Sequence, residues 1–229
     1  MDYNGFEELC LIDKYLKNYN QRIVDLITQK IEIDKVDYVL DFGAGIGTIA
    51  DIFYKKTETR PDCFEICNLS KKILLEKQYK IYEKFTNEEK YDLIYSSNVL
   101  EHIENDFEIV LNLKNMLKKN GYLIIIVPAI SFLFSELDFE VGHFRRYDKK
   151  KLEEICLKND LKIKNISFFD SVGFFILVVM KFLKINTHKS INRKNLTIYD
   201  KIFVRLNKFM DLFLKKICGK NIVLIAMKL

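Results

Sequence analysis

The stretch Val39-Leu40-Asp41-Phe42-Gly43-Ala44-Gly45-Ile46-Gly47 decides how the rest of the chain is read. An apolar run ends on an acid, and three of the chain's eight glycines then fall within five residues. The run suits a buried strand, predicted over 36–41, and a helix is predicted over 46–56. Glycines between a strand and a helix let the backbone turn tightly and approach a ligand, with helix amides facing it. A pyrophosphate-binding loop would carry a third glycine three residues after the second, where this chain has Thr48. The acid Asp41 would also repel a pyrophosphate and attract an ammonium group. Nicotinamide-dependent oxidoreduction is thereby disfavoured.

Further along, a short strand is predicted over 63–66 and contains Glu65, 24 residues after Asp41. A carboxylate at that place can accept both hydroxyls of a ribose. A ligand with a ribose at one end, an amine at the other and no phosphate fits S-adenosylmethionine. A purely structural glycine turn is the alternative, and the two flanking acids weigh against it. The remaining periodicities predict a helix over 70–79 capped by Ser70, strands over 80–85 and 91–96, and a helix over 106–118. The near-continuous aliphatics of 122–127 read as a strand buried on both faces, as in a parallel sheet between helices. A long loop follows Pro128, then a helix with Asp148 as N-cap and a strand over 161–169. The C-terminal part holds an apolar stretch (172–183), a polar gap (185–195), an amphipathic helix (196–217) and a strand (221–227). Residues 6–33 read as helix. The expected fold class is α/β, a doubly wound and mostly parallel sheet in a single domain spanning 1–229. Residues 1–33 form a helical cover, and 170–220 a helical insertion before the last strand.

Residues 39–47 resemble the first motif of class I S-adenosylmethionine-dependent methyltransferases. Tyr91-Asp92-Leu93-Ile94-Tyr95-Ser96-Ser97-Asn98-Val99-Leu100-Glu101-His102-Ile103 is similar to their fourth-strand motif, and Leu117-Lys118-Lys119-Asn120-Gly121-Tyr122-Leu123 to their turn into the fifth strand. The resemblance covers about 35–170. It implies a seven-stranded Rossmann-like sheet with an antiparallel last strand and S-adenosylmethionine as cofactor. It also implies a binding set of Asp41, Gly43, Ala44, Gly45, Glu65, Ile66, Phe85, Ser97 and Asn98. One departure stands out: the usual acid after the third strand is missing, and Lys84-Phe85-Thr86-Asn87 occupies its place. Phe85 is expected to stack on the adenine instead.

A hydroxyl acceptor needs a base for its proton. His102 follows the fourth strand and reads as a helix-start or scaffold residue. His143 lies in the denser loop Ser135-Glu136-Leu137-Asp138-Phe139-Glu140-Val141-Gly142-His143-Phe144-Arg145-Arg146-Tyr147, which lacks the periodicity of a core element. Loops at the carboxyl ends of parallel strands are where such sheets bind ligands. The expectation is His143 as general base, oriented by Asp138 or Glu136. Arg145 and Arg146, with Tyr147, would bind an anionic group of the acceptor. The alternative is a solvated loop with an arginine–aspartate pair. This loop also resembles a subgroup found with bacterial polysaccharide and lipid-glycan genes, which implies that it faces the acceptor.

The 229 residues carry a formal +5, yet residues 181–220 hold eleven basic side chains against two acidic ones. The basic surplus therefore belongs to the C-terminal helices. Along 196–217, Ile198, Tyr199, Ile202, Phe203, Leu206, Phe209, Met210, Phe213 and Ile217 trace one helical face, with lysines and arginines between them. Docking on its own domain or on a second copy in a homodimer is one reading. Peripheral contact with an anionic membrane through 172–217 is the other. Nucleic acid is not expected as a partner, because the aromatics are not interleaved for base stacking. The longest apolar run, 172–180, is short of the roughly 20 residues that span a bilayer. Five scattered cysteines suit reduced thiols and a cytoplasmic setting, and Cys63 and Cys67 lack the further ligands of a zinc site, so no metal is expected. The expected function is methyl transfer from S-adenosylmethionine to an oxygen of a sugar, glycan or glycolipid precursor. The alternatives are an apolar acceptor such as a quinone or fatty acid, or a degenerate fold serving as a binding subunit.

Overall fold

Seven strands form one sheet in a computed structural model that describes residues 6–184 and 192–229. They are β1 (Val39–Phe42), β2 (Asp62–Phe64), β3 (Ile81–Tyr82), β4 (Tyr91–Ser97), β5 (Leu117–Pro128), β6 (Leu161–Phe169) and β7 (Asn221–Lys228). Their order is β3-β2-β1-β4-β5-β7-β6. All neighbours run parallel except β7, which is antiparallel to both β5 and β6. The expected doubly wound sheet with an antiparallel last strand is what the chain forms. Strand order reverses between β1 and β4, so the ligand crevice of such a sheet opens at their carboxyl ends.

Helices cover both faces. On one, α5 (Asp106–Met116) and α7 (Lys149–Lys158) bury Val110, Leu113, Leu152 and Cys156 against Leu40, Ile94, Leu123 and Ile125. On the other, α2 (Lys17–Thr28) and α3 (Thr48–Thr57) bring Ile23, Val24, Ile27 and Phe53 against Val39, Leu93, Tyr95 and Ile124. Side chains of adjacent strand positions thus point to opposite layers, and each layer is apolar. Between β2 and β3 runs α4 (Asn68–Glu76), and α6 (Glu136–Glu140) is a short helix in the loop after β5.

Several boundaries differ from the sequence reading. The helix predicted over 6–33 is α1 (Phe6–Tyr15), then α2, then a 3-10 turn (Ile33–Lys35), broken at Leu16 (φ −106°, ψ 48°). At the break the Asp200 carboxylate accepts the amides of Asn18 and Tyr19 (3.1 and 2.9 Å), a cap supplied from the other end of the chain. Ser70 does not cap α4, whose N-cap is Cys67; it is buried within the first turn. Asp148 stands at the N-cap of α7, but its side chain bonds the Ser131 amide and hydroxyl rather than the helix. β3 is two residues long rather than six, and β5 extends back to Leu117.

The insertion holds α8 (Ser171–Phe182), α9 (Arg193–Ile198), a π-turn (Tyr199–Phe203) and α10 (Val204–Leu214). Of the polar gap predicted over 185–195, residues 185–191 lie outside the described residues, as do 1–5 of the N-terminal cover. Of the apolar face read along 196–217, Tyr199 packs inward on Tyr19 and Asp170, while the residues farther along α10 face out. The inward face carries Asp200, Val204, Asn207 and Asp211 at helical spacing, with Asn207 1% and Asp211 5% exposed. Phe209, Phe213 and Ile217, by contrast, are 63%, 67% and 70% exposed. The cause is hydrogen bonding at the start of α8. Asp211 accepts the Ser171 amide and hydroxyl and the Asp170 amide, and it pairs with Arg22 of α2. Asn207 accepts the Val172 amide and donates to Asp170. Asp170, fully buried with φ +68°, also accepts from Gly173 and Tyr199. Buried polar groups satisfied this fully are stable in place, which leaves Ile202, Leu206, Phe209, Phe213 and Ile217 of the apolar stripe outside.

Candidate active site

The donor side of the crevice is built at the ends of β1 and β2. Asp41 lies in β1, and the chain turns through Gly43 (φ +77°) and Gly45 (φ +54°), conformations that glycine adopts without steric penalty. A Cβ at Gly43 would run into Val99 beyond β4, and one at Gly45 would meet Leu9 Cδ2 of α1 at 2.9 Å. The N-terminal cover therefore lies over the bend, tied further by the Thr48 hydroxyl donating to Asp13 at 2.6 Å. Glu65 follows β2 directly. One of its oxygens accepts the Gly45 amide at 2.7 Å, and the other accepts those of Ile66 and Cys67 at 2.8 Å. The two acids thus bracket the bend, as the sequence spacing predicts. Asp41 Oδ2 is buried with no hydrogen bond of regular geometry, the Tyr95 hydroxyl being the polar group that faces the carboxyl. Burial pushes the Asp41 carboxyl up to about 8, and the charge of nearby Glu65 adds to the rise.

Ile66 is 58% exposed, an unusual position for an isoleucine and one that suits an apolar face for a planar ring. Ser97 ends β4 and accepts from the Asn98 side chain; Asn98 itself is left-handed (φ 55°) with its amide bonded to the Ile126 carbonyl. Phe85 is half-buried and stacks on Phe64 (4.8 Å) and Phe42 (5.8 Å), so it braces the ends of β1 and β2. Ala44, within the bend, is buried.

The loop after β5 converges on Asp138. This carboxylate, 2% exposed, accepts from His143 Nδ1 at 2.8 Å and from the Ser135 amide and hydroxyl at 2.9 and 2.8 Å. Arg146 Nε and an Arg146 terminal nitrogen reach it at 3.0 Å. Burial alone would raise its pKa, but the hydrogen bond from His143 and the charge and hydrogen bonds of Arg146 hold it down to about 2. As an ionised acceptor it fixes the proton of His143 on Nδ1, so Nε2 presents a lone pair. That Nε2 lies 3.9 Å from Glu101 Oε1. Glu101 follows β4, is fully buried, and has no hydrogen-bond partner on either carboxylate oxygen; burial pushes it up to about 8 against the pull of Arg146. The His102 ring meets that of His143 edge-on at 4.5 Å, and burial lowers its pKa to about 4.

Three expected roles do not hold in this geometry. Tyr147 is not at the crevice: it is fully buried, and its hydroxyl is spent on Asp106 and the Leu100 carbonyl. Arg145 pairs with Asp106 at 2.7 Å and with the Glu104 carbonyl, and Arg146 is buried against Asp138, so both guanidinium charges are already neutralised. Glu136 is exposed in the first turn of α6, and Asp138 alone orients His143. Glu101 went unnoticed in the sequence. Its only signal was an acid directly after an apolar strand.

A family model described as a methyltransferase domain matches residues 12–166, well over half of the chain. The chain belongs to that family. No curated protein matches it. Among solved structures, this methyltransferase superposes on the one from Haloferax volcanii solved with the Trm112 methyltransferase activator. The TM-score is 0.67 at 10% identity, over 99% of this chain and 97% of that one. A SAM-dependent methyltransferase from Archaeoglobus fulgidus gives 0.61 at 17% identity, over 94% of each chain. The phosphoethanolamine N-methyltransferase 2 of Haemonchus contortus, solved with S-adenosyl-L-methionine, gives 0.59 at 18%, over 92% of this chain and 52% of that one. At these identities the likeness is one of fold.

The methyltransferase's cofactor is S-adenosylmethionine, and the residues present fit it. The orphaned Asp41 Oδ2 suits its ammonium group, and Glu65, which already accepts three amides, keeps one acceptor position on Oε2 for a ribose hydroxyl. Gly43 and Gly45 contribute no side chains of their own to the bend, against which Val99 and Leu9 pack.

Proposed function

We propose that this methyltransferase acts on a hydroxyl of a sugar, glycan or glycolipid precursor held at an anionic membrane surface. When bound, S-adenosylmethionine supplies a methyl group on a sulfonium, an electrophile that needs no further activation. The protein's work is then to position the acceptor, exclude water and take up one proton. Asp41 and Glu65 hold the two ends of the cofactor, and α1 covers it through Leu9. His143 Nε2 takes the acceptor proton, with the imidazolium stabilised by the Asp138 carboxylate at Nδ1.

The observation that carries this reading is the orientation of the insertion. Its inward face is polar, and its outward face shows Ile202, Leu206, Phe209, Phe213 and Ile217 among Lys201, Arg205, Lys208, Lys215 and Lys216. An exposed apolar stripe of that size, set in basic side chains, suits insertion into an anionic lipid headgroup layer. The same insertion adjoins the acceptor loop, where Lys181 of α8 donates to the carbonyls of Phe132 and Phe134. A lipid tail at the stripe would leave its headgroup beside that loop. No described helix is long and apolar enough to cross a membrane, so the contact would be peripheral. The lysines would meet a carrier phosphate in place of the two neutralised arginines.

A second reading, an apolar acceptor such as a quinol, is favoured by the groove between α8 and α10. It is lined by Val172, Phe175, Ile176, Val179, Leu206 and Met210, and its volume is about 390 Å³. The test is transfer of labelled methyl from S-adenosylmethionine in anionic vesicles carrying either a polyprenyl-phosphate-linked sugar or a quinol. The wild type should label the sugar, His143→Asn should lose roughly 10²–10⁴-fold in rate, and Phe209→Glu with Phe213→Glu should abolish vesicle binding. Labelling of the quinol alone would favour the second reading, and labelling of neither would defeat both.

A further inference from the structure

Glu101, His102 and His143 each offer a ligand atom, and the three atoms lie within 4.8 Å of one another. We propose that they form a binding site for a divalent transition-metal ion, facing the acceptor side of the crevice.

Three features carry this. The first is Glu101: a fully buried carboxylate whose two oxygens both lack a hydrogen-bond partner. Burying an acceptor without a partner costs free energy, and a cation is the partner that satisfies it best. The second is the way the imidazoles are held. His143 gives its Nδ1 proton to the Asp138 carboxylate at 2.8 Å, leaving Nε2 toward Glu101. The ring of His102 is hydrogen-bonded to the Val141 and Gly142 backbone. Metal-bound histidines are characteristically fixed in this manner, one nitrogen on a carboxylate or carbonyl and the other on the ion. The third is charge. Arg146 is the cation next to the cluster, and its three contacts at 3.0 Å go to Asp138, so no cation is bonded to the Glu101 oxygens.

Two imidazoles and one carboxylate select Zn²⁺, Fe²⁺ or Mn²⁺ over Ca²⁺ or Mg²⁺, which prefer oxygen ligands alone. Three protein ligands leave at least one position open, as in catalytic rather than structural sites. Ligands at about 2.1 Å from a tetrahedral ion stand about 3.4 Å apart. The 3.9 Å between His143 Nε2 and Glu101 Oε1, and separations of up to 4.8 Å within the cluster, require the side chains to close in by about 0.5–1.4 Å on an ion. This inference deepens the function proposed above and rests on its placing of the acceptor beside His143. With an ion bound, Nε2 would be a ligand rather than the base, and the ion would lower the pKa of the acceptor hydroxyl so that its proton could leave to solvent as the methyl group is transferred.

The experiment is calorimetric titration of chelator-treated full-length protein with Zn²⁺ and with Mn²⁺, without S-adenosylmethionine or acceptor. Glu101→Gln and His143→Gln are the variants, with circular dichroism to confirm folding. One ion per chain is expected for the wild type, weakened at least tenfold by each substitution. Co²⁺ in place of Zn²⁺ should add visible ligand-field absorption that both variants lose. No uptake by the wild type, or uptake that both folded variants retain, overturns the site. Should a variant fail to fold, the Co²⁺ spectrum of the wild type decides: absorption characteristic of nitrogen and oxygen ligands supports the site, and its absence or a thiolate band refutes it. Binding with no methyl transfer to the sugar would leave the metal site standing and defeat the acceptor reading alone.

Discussion

Asp41 is a liability in the unliganded protein, and that can be measured. Its carboxyl is buried with one oxygen lacking a hydrogen bond of regular geometry and a pKa raised to about 8 from an ordinary 3.8. Between those values the folded state holds a proton that the unfolded state has released. Stability from this group is therefore full below about pH 4 and is lost as pH rises through 8. Asp41→Asn should flatten that fall and raise the stability of the unliganded protein near pH 8 by on the order of 1–3 kcal/mol. The same substitution should weaken S-adenosylmethionine binding at least tenfold. Thermal melts across pH 5–9, with and without cofactor, check both signs; a variant less stable than the wild type at pH 8 would contradict them. That Asp41 and Glu65 flank the glycine bend was legible from their spacing, but that Glu65 ties the bend to the next strand by accepting three amides was not. Tyr147 was misread because a tyrosine among charged residues gives no sign that its hydroxyl is already occupied by Asp106.

At the level of elements, strands and the helices between them were readable because apolar runs and turn residues are local signals. The orientation of α10 was not. A helix with a clean apolar stripe is expected to bury that stripe, and here Asp200, Asn207 and Asp211 hold the opposite face inward by bonds to residues 35 to 189 positions away in sequence, information no local window contains. Removing one member of such a buried network leaves its partners unsatisfied. Asp211→Ala strips the Ser171 amide and hydroxyl of their acceptor and Arg22 of its counter-ion, and should cost about 3–5 kcal/mol. Asp200→Ala uncaps α2 and should cost about 1–2 kcal/mol. Phe213→Ser, on the exposed stripe, should change stability by less than about 0.5 kcal/mol. Chemical denaturation of the three variants gives the ranking; a larger loss at Phe213 than at Asp211 would mean that the stripe, not the polar face, holds the insertion.

Across the whole molecule, the seven-stranded sheet brings three separate pieces of sequence to one edge. Residues 41–65 form the cofactor side, 97–147 the side proposed to take the acceptor, and the helices before β1 and after β6 lie against them. Division of labour follows from distance along the chain: the donor residues are close in sequence and were predicted together. The acceptor cluster joins the end of β4 to a loop more than 30 residues later, and its member Glu101 emerged only in three dimensions. All of it depends on the bend between Asp41 and Glu65 accepting S-adenosylmethionine. Calorimetric titration of the full chain with S-adenosylmethionine, beside Glu65→Gln, addresses this most directly. Binding of one molecule per chain, weakened at least tenfold by the substitution, is the expected result. No heat from the wild type, or equal affinity in the two proteins, would contradict it.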